Sequence, residues 1–391
     1  MRMTALATLS AVWIVAAFLL WPSGGPDLGA ELEPEALFDT GTIARNGRYR
    51  DVLTGLWALG VLGQLTGLAL LAWRRSQLRG HPLVRAALLG GAAYATLWVA
   101  QLPFRLAGHW WRRRYDVSDL DYLGYVAGAW STTLGELVLA CVTGGAVVAI
   151  SRRLTDRAWL GLWSVSVAVA AAYVLVYPAL LAPRLRPLED RALAAEIQAL
   201  ATRAGLGETT VEVRKARERT RAVNAEAFGA GPTTSVILWD TLLEPRVGRG
   251  EIRFAAAHEL EHLARQHPWR GLAWFALLAL PGTWLVARLV RLEDPAGVPA
   301  AALVLVCLQL ATLPLASALS RRYEAEADLE ALRLTGDRAS AEALFRRFVH
   351  TSLADPDPPR LLHTLLSTHP TVVERIATAR AAELPAAPGS P

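Results

Sequence analysis

Long apolar runs constrain the fold of this chain more than any other feature of its sequence. Each is close to the roughly 20 residues that a helix needs to cross a bilayer, so we expect about seven transmembrane helices. Core helices of a soluble protein rarely stay apolar for this long or recur this often. We expect the first run to be an uncleaved anchor, because no small-x-small cleavage site follows it. The runs are Met3–Trp21, Val52–Trp73, Leu83–Phe104, Leu134–Ile150, Ala158–Ala182, Gly271–Val290 and Ala300–Leu319.

Composition and charge indicate a membrane rather than a nucleic acid as the surroundings of this protein. Hydrophobic residues make up 53% of the chain and charged residues only 19%, which is unusual for a soluble domain. The net charge of +5 suits anionic lipid headgroups, and no basic segment is interleaved with aromatic residues. No glycine-rich nucleotide-binding loop appears. We therefore expect membrane lipids as partners, and neither nucleic acid nor nucleotide.

Two polar regions interrupt the apolar pattern and carry the candidate chemistry. The first extends from about Pro183 to Arg270, between the fifth and sixth runs. Within it, "EDRALAAEIQALATRAG" predicts an amphipathic helix, "TTVEVRK" and "TSVILWD" predict strands, and a further helix follows Gly250. The second region extends from Ser320 to about Ala382. A site that uses both regions would join residues that two apolar runs separate along the chain.

The sequence "HELEH" in the first region has the spacing of a zinc-binding helix. His258 and His262 are four residues apart, so on a helix their imidazoles share one face and can reach a single ion. Glu259 then lies beside the metal, where it can take a proton from water. Zinc acidifies that water, which makes hydroxide available at neutral pH. The alternative is a solvated helix face that carries two histidines and several glutamates.

A third protein ligand is expected from the second polar region. In "SALSRRYEAEADLEAL", Glu324 and Asp328 are again four residues apart and share one helical face. Glu324 suits a direct ligand, and Asp328 suits an acceptor that holds a ligand imidazole by its other nitrogen. Glu326 and Glu330 are rival ligands. The alternative is an ordinary charged surface helix in which these carboxylates pair with nearby arginines.

Three segments in this order resemble a known family. "AAAHELEH", "SRRYEAEADLEALRLTGD" and "STHPTVVERI" are similar to motifs of the zinc-dependent membrane endopeptidases related to the type I CAAX prenyl proteases and the HtpX heat-shock proteases. "NAEAFGAGPTTSVILWDTLLE" resembles the region that precedes the zinc helix in that family. "LPFRLAGHWWRRRYDVSDLD" resembles a loop of the CAAX-type branch, and the long N-terminal half favours that branch.

The resemblance implies a centre that holds one zinc ion. Its motifs match this sequence at the two histidines of "HELEH" and at the first carboxylate of the later segment. They imply His258, His262 and Glu324 as zinc ligands, with Glu259 as the catalytic base. Asp328 would then orient a ligand imidazole.

The resemblance also implies residues that handle the peptide substrate. His369 and Arg375 would stand near the scissile carbonyl and stabilise its developing negative charge. The alternative for His369 is a simple helix-entry turn, because a proline follows it. Asn224 would bind substrate backbone, and Ala225 and Ala227 would belong to an edge strand that pairs with an extended peptide.

The expected fold is mostly α. It is a multi-pass transmembrane helical bundle, with a zincin-like (gluzincin) α+β catalytic domain inserted between the fifth and sixth spans. We expect residues 1–182 to form an N-terminal transmembrane region. Residues 183–382 would form the metalloprotease domain, including two further transmembrane helices, and residues 383–391 a disordered tail.

Two further residues lie in or just after the zinc motif and are not among its proposed functional residues. Glu261 stands where the family has glycine, and we expect it to face away from the metal, solvated or paired with an arginine. Its charge would be costly if it packed against a membrane span. His267 follows the second histidine by five residues, and we expect it to cap the helix rather than to bind metal.

The expected function is that of an integral-membrane zinc metalloendopeptidase, acting in membrane protein quality control or in CAAX-type peptide processing. An antibiotic-sensor type membrane metalloprotease is an alternative, although "STHPTVVERI" argues against it. An intramembrane site-2 type protease would place the motif inside an apolar run. A non-catalytic peptide-binding scaffold is a further alternative, although every expected catalytic position is filled.

The membrane orientation of the site rests on opposing signals. Counting arginines in "WRRSQLRGHPLVR" and "SRRLTDR" would put those loops inside and the zinc site outside. The arginines of "HWWRRRYD" act in the opposite sense, and the family resemblance suggests the cytoplasmic side. We therefore expect a multi-pass protein of the cell membrane with its catalytic site on the cytoplasmic face.

Overall fold

The computed structural model describes residues 13–22, 32–74, 78–128, 130–181, 185–229 and 234–383. Much of the first apolar run and almost all of the predicted disordered tail therefore lie outside the described residues. Within the first run, the described residues 13–20 are helical, and this helix is called α1.

Helices dominate the described part of the chain, in agreement with the predicted fold class. After α1 they are α2 (Thr40–Trp73), α3 (Pro82–Arg114), α4 (Tyr122–Ala127), α5 (Trp130–Leu154), α6 (Ala158–Leu181), α7 (Arg191–Arg203), α8 (Arg249–Ala264), α9 (His267–Leu289), α10 (Val298–Thr335), α11 (Arg338–Thr351), α12 (Arg360–Leu366) and α13 (Val372–Ala381).

Five segments of the described chain are long and apolar enough to cross a membrane. Each predicted run after the first overlaps one of them. One segment contains two predicted runs, which form the separate helices α5 and α6 with a single 3₁₀ turn between them. These segments support a multi-pass membrane protein. They are Thr40–Trp73, Pro82–Arg114, Tyr122–Val176, His267–Leu289 and Pro295–Thr335.

Helices α3 and α5 pack with their backbones in direct contact. A Cβ atom at Gly144 would lie 2.4 Å from the carbonyl oxygen of Ala86, and one at Gly90 would lie 2.3 Å from that of Ala140. Glycine is therefore required at both positions. Close approach through small residues is a common way for membrane helices to gain packing energy where both helices and lipid are apolar.

The predicted loop "LPFRLAGHWWRRRYDVSDLD" is helical over most of its length, so this expectation was wrong. Helix α3 continues to Arg114, and only the residues between α3 and α4 are non-helical. His109 is buried on α3, where its ring stacks on Tyr125 at a centroid distance of 4.1 Å. The connection then joins the polar part of the chain, because the Ser118 hydroxyl donates to the carbonyl oxygen of Arg219 over 2.7 Å.

The inserted polar region forms a four-stranded sheet in the order β1-β2-β4-β3. Both predicted strands are present as β2 and β4, and they pair in parallel. Strand β1 was not predicted, and it pairs antiparallel to β2. The edge strand β3 pairs antiparallel to β4. The strands are β1 (Leu185–Pro187), β2 (Thr210–Arg214), β3 (Ala225–Phe228) and β4 (Ser235–Trp239).

One hydrophobic core unites the two polar regions. Phe254 of α8, Phe345 of α11 and Ile376 of α13 are fully buried in it. The start of the membrane bundle is attached to the same unit, because the buried Asn46 of α2 donates to the carbonyl oxygens of Val349 and Ala354 over 2.8 and 2.9 Å. The predicted division of the chain at residue 182 stays a prediction.

Candidate metal centre

Helix α8 is anchored at its start and buried along one face. The Glu251 carboxylate accepts a hydrogen bond from the backbone N–H of Gly248 over 2.9 Å, which satisfies a free donor at the helix start. Its other oxygen accepts from Arg347 on α11 over 2.6 Å. Phe254 and Leu260 pack into the core. This fixes the rotation of α8, so that His258 and His262 face α10.

Helix α10 brings the carboxylates of the second polar region to the histidines. It is 38 residues long and extends without a break from an apolar run to its polar end. Glu324 and Asp328 follow the apolar part and are buried against α8, with exposed fractions of 9% and 1%. The predicted i,i+4 face is therefore present, and it is a buried face rather than a solvated one.

Three ligand atoms converge between α8 and α10. Nε2 of His258 lies 3.1 Å from Nε2 of His262. Oxygen atoms of the Glu324 carboxylate lie 3.3 Å from Nε2 of His258 and 3.5 Å from Nε2 of His262. Within the residues that the structure describes, this is the group of histidine, cysteine and acidic side chains whose spacing could hold a metal ion.

The donor set and its spacing fit zinc. With Zn–N and Zn–O bonds of about 2.0–2.1 Å, the edges of a tetrahedron are about 3.3–3.4 Å long. The Nε2–Nε2 distance and the distances from His258 to Oε2 and from His262 to Oε1 are close to this value. Oε2 of Glu324 is buried and accepts no hydrogen bond from the described residues, which suits an atom reserved for a cation. Two nitrogens and one carboxylate leave a fourth position open, the arrangement of catalytic rather than structural zinc sites.

The rival carboxylates of α10 are used elsewhere. Glu326 lies 3.3 Å from Nε2 of His267, and Glu330 pairs with Arg265 over 2.9 Å. Glu324 is therefore the glutamate of this segment that faces His258 and His262, because Glu326 and Glu330 point at other partners.

Asp328 lies on the side of His258 opposite to the other ligand atoms. Its Oδ1 lies 2.9 Å from Nδ1 of His258, the ring nitrogen that faces away from the other ligand atoms. The guanidinium of Arg375 donates two hydrogen bonds of 2.7 Å each to the Asp328 carboxylate. A buried carboxylate held in this way can fix the orientation and tautomer of a ligand imidazole. The predicted positioning role of Asp328 is consistent with this geometry.

The surroundings of His258, Glu259 and His262 on α8 shift the pKa values of these three residues in different ways. Burial alone would lower the pKa of His258, but Asp328 and Glu324 raise it to about 10. Burial and the neighbouring His258 lower the pKa of His262 to about 3, so this ring is neutral with a free lone pair. Burial raises the pKa of Glu259 to about 7, although His258 opposes the shift. A carboxylate of this pKa can both accept and release a proton near neutrality.

The edge strand β3 borders the site. The Trp239 N–H donates to the carbonyl oxygen of Asn224 over 3.1 Å, which defines these two as a hydrogen-bonded pair. Antiparallel pairs alternate, so the backbone groups of Ala225 and Ala227 point away from β4. The Ala227 N–H instead donates to the Glu259 carboxylate. Among the described residues no further strand follows β3 in the sheet, so its outer edge lies next to the candidate base.

His369 and Arg375 lie at the same site, as predicted. Nε2 of His369 is 3.3 Å from Oε2 of Glu324, and the His369 side chain is 56% exposed. A cavity of about 80 Å³ is lined by both residues together with Asn224, His258 and Glu259. Nδ1 of the exposed His369 ring lies 3.0 Å from the Thr368 hydroxyl, whereas the buried Arg375 guanidinium uses Nε and Nη2 to hold Asp328.

The two unusual residues near the motif have specific surroundings. Glu261 is buried, and Nε of Arg265 lies 3.7 Å from its carboxylate, so it is paired with an arginine rather than solvated. Burial raises its pKa, and Arg265 opposes the shift. His267 does not cap α8, because Arg265 holds that position and His267 begins α9. Its ring contacts His262, a contact that the five-residue spacing did not reveal.

The comparisons with known proteins agree with this geometry. The model of the family described as "Peptidase family M48" matches residues 187–383, about half of the chain and both polar regions. The chain belongs to peptidase family M48. Membership in M48 confirms the resemblance that the three sequence segments indicated.

Two curated relatives of this M48 chain are matched over part of their length. It is 30% identical over 249 residues to "Uncharacterized metalloprotease YhfN" of Bacillus subtilis, covering 59% of this chain and 58% of that protein. It is 26% identical over 231 residues to "CAAX prenyl protease 1 homolog" of Arabidopsis thaliana, covering 55% and 54%. The chain thus spans somewhat more than half the length of each.

A solved structure shows the same fold over nearly the whole M48 chain. The crystal structure of S. mikatae Ste24p superimposes with a TM-score of 0.69 and covers 94% of this chain and 96% of that one. The sequence identity is 19%, so the likeness concerns the fold. It confirms a helical membrane bundle with an inserted catalytic part.

The pair between Arg375 and Asp328 generates a stability prediction. Arg375→Leu should lower the free energy of unfolding by roughly 3–5 kcal/mol, because the buried Asp328 carboxylate loses its guanidinium partner and keeps only the contact with His258. Thermal denaturation of the detergent-purified protein measures the effect. Arg380→Leu on the same helix is the matched control, since Arg380 is 46% exposed and its pair with Glu342 should contribute about 0–1 kcal/mol. Equal losses in the two variants would contradict the prediction.

Proposed function

We propose that this M48 chain is an integral-membrane zinc metalloendopeptidase. The observation that carries the proposal is the convergence of His258, His262 and Glu324 between α8 and α10. Glu259 lies beside them, and the edge strand β3 borders the same cavity. Metal ligands, a base and a peptide-binding edge in one place are the parts that hydrolysis of a peptide bond requires.

The proposed ion is a single zinc held by the two imidazoles and the Glu324 carboxylate. When bound, zinc supplies Lewis-acid chemistry, which acidifies water and polarises a carbonyl oxygen. The protein must present neutral imidazoles and an ionised carboxylate to bind it. Oδ1 of Asp328 lies 2.9 Å from Nδ1 of His258, so the proton of the neutral ring belongs on Nδ1 and the Nε2 lone pair is directed at the ion. The pKa of about 10 without metal means that this ring must lose its second proton when the ion binds.

Glu259 is the proposed general base. Its carboxylate takes a proton from the attacking water and then delivers it to the nitrogen of the departing amine. The raised pKa of about 7 suits both steps, because the same group must bind and release the proton. The N–H of Ala227 holds one side of the carboxylate, which limits its rotation beside the site.

His369 is the proposed donor to the negative charge that develops on the scissile carbonyl. Its exposed ring stands at the rim of the cavity, 3.3 Å from Glu324, where a bound peptide would lie. Arg375 shares the cavity and adds positive charge to it. Because two of its nitrogens bind Asp328, its larger contribution is to hold the support of His258 in place.

The proposed substrate is an extended peptide segment that pairs with β3. The backbone groups of Ala225 and the carbonyl oxygen of Ala227 point away from β4, and a peptide strand could use them by β-addition. The N–H of Ala227 is already used by Glu259. Asn224, which lines the cavity, is placed to bind the peptide backbone at the end of that strand. Membrane protein quality control and CAAX-type peptide processing are the proposed roles for such an activity at a membrane.

The proposed side of the membrane is the cytoplasmic one. The last turn of α3, at the site end of the bundle, carries Arg112, Arg113 and Arg114. Helix α10 carries Arg321 and Arg322 where it leaves its apolar run. Positive residues of short loops and helix ends favour the cytoplasmic face. These five arginines oppose those at the other end of the bundle, such as Arg152 and Arg153 of α5.

The mechanism predicts that substitution of the base lowers activity alone, whereas substitution of a metal ligand lowers both activity and zinc content. Glu259→Gln should lower kcat by roughly 10²- to 10⁴-fold, the usual contribution of a general base, while zinc content stays that of the parent. Glu324→Ala should lose both zinc and activity. Cleavage of a fluorogenic peptide and elemental analysis measure the two properties. Full activity of Glu259→Gln would refute the mechanism and favour another base.

Pairing of the substrate with β3 predicts an alternating response to backbone methylation. In a series of peptides N-methylated one residue at a time, alternate positions should lose kcat/KM by roughly 2- to 13-fold, corresponding to a lost hydrogen bond of 0.5–1.5 kcal/mol. The intervening positions serve as controls, since their N–H groups point away from the strand edge. A uniform response along the peptide would rule out β-addition.

The proposed orientation predicts the behaviour of a C-terminal reporter. Helix α13 packs in the core of the catalytic part, so a fusion after it reports the side on which the site lies. A fluorescent protein that folds in the cytoplasm should be bright at this position, and alkaline phosphatase should be inactive. The reverse pattern would place the site outside.

A further inference from the structure

A third histidine lies directly behind the metal ligands and has no role in the proposed mechanism. The chain leaves α8 through Gln266, which adopts the left-handed conformation at φ 57°, and turns back to start α9. This turn places the buried His267 against His262, with the two Nδ1 atoms 2.8 Å apart. Such a conformation is uncommon for a residue other than glycine, so the turn is maintained by its surroundings.

The distance between the two Nδ1 atoms determines where the ring protons are. A hydrogen bond between two imidazole nitrogens needs one donor and one acceptor. Nε2 of His262 faces His258 and Glu324, so its lone pair is directed at the metal position and its proton is on Nδ1. His262 is therefore the donor, and Nδ1 of His267 accepts.

Nε2, the second ring nitrogen of His267, faces a carboxylate on α10. With Nδ1 as acceptor, the His267 proton is on Nε2, and this atom lies 3.3 Å from Oε2 of Glu326 on α10. Arg265 and Arg270 lie 3.8 and 3.6 Å from the Glu326 carboxylate, so the carboxylate is held between cations. The ring plane is fixed as well, because His267 stacks on Tyr323 at a centroid distance of 4.6 Å.

We propose that His267 is a positioning residue that fixes His262 for the metal. It accepts the Nδ1 proton of His262 in a hydrogen bond and donates its own Nε2 proton to Glu326. The result is a chain of carboxylate, imidazole and imidazole. His258 obtains the same support directly from Asp328, whereas His262 obtains it through one more ring. The inference rests on the proposed metal site.

The physical consequence concerns the affinity for zinc. A carboxylate at the end of the chain makes the His262 lone pair a stronger donor and removes the freedom of the ring to flip or to change tautomer. Loss of such a supporting partner typically weakens metal binding by about 10- to 100-fold. The effect should appear as faster loss of the ion to a chelator, before any change in fold.

The test compares two substitutions at His267, one that keeps an aromatic ring without hydrogen bonds and one that keeps hydrogen-bonding groups without the ring. His267→Phe retains stacking on Tyr323 and removes both hydrogen bonds, so zinc affinity by chelator competition should fall about 10- to 100-fold. His267→Gln provides an amide oxygen and an amide N–H₂ in their place, so it should recover part of that loss. His350→Phe, at an exposed histidine of α11, is the control and should bind zinc like the parent.

A spectroscopic readout separates positioning from a merely structural role. In the cobalt(II)-loaded full-length protein, proton NMR should show shifted, slowly exchanging N–H signals from both ligand imidazoles. His267→Phe should remove the signal of His262 and keep that of His258. Parent-like zinc affinity and both signals in His267→Phe would overturn the inference, as would equal weakening in the Phe and Gln variants. A parent protein that binds no zinc would instead overturn the proposed function.

Discussion

The structure depends on the burial of two carboxylates at the polar end of a membrane helix. Glu324 and Asp328 are almost completely removed from water, and an isolated buried carboxylate costs several kcal/mol. Each has its own compensation. Arg375 binds Asp328 through two hydrogen bonds, and two imidazoles face Glu324. Oε2 of Glu324 lies 3.3 Å from Nε2 of His258 without a hydrogen bond among the described residues, and it is the atom that a cation would satisfy.

This compensation explains why the catalytic part and the membrane bundle form one structure. Helix α10 is both a membrane span and the source of two site residues, so any tilt of the span would move Glu324 relative to α8. Contacts at the base of the bundle oppose such movement. Asn46 ties α2 to the end of α11, and Ser118 ties the α3–α4 connection to the residues after β2. The site is thus supported by rigid helices rather than by loops, as preorganised catalysis requires.

The parts of the site that follow a local rule could be predicted, and those that depend on packing could not. The pair His258 and His262 follows from helical periodicity, because residues four apart share a face wherever the helix lies. Glu324 was selected over Glu326 on the same rule, but its meeting with α8 depends on the crossing of two helices. The contact between His262 and His267 had no sequence signal, since five residues do not return to the same face and only the turn at Gln266 makes it possible.

The sequence by itself determined the membrane-spanning helices, the strands β2 and β4 and the side chains proposed to bind metal, because these follow from hydrophobic periodicity and ligand chemistry. Only the tertiary structure decided the continuation of α3 through the expected loop, the added strand β1, and the neighbours of each site residue. The reason is physical. Periodicity specifies which face of an element is apolar or charged, whereas the partner of that face is chosen by the packing of elements that are distant along the chain.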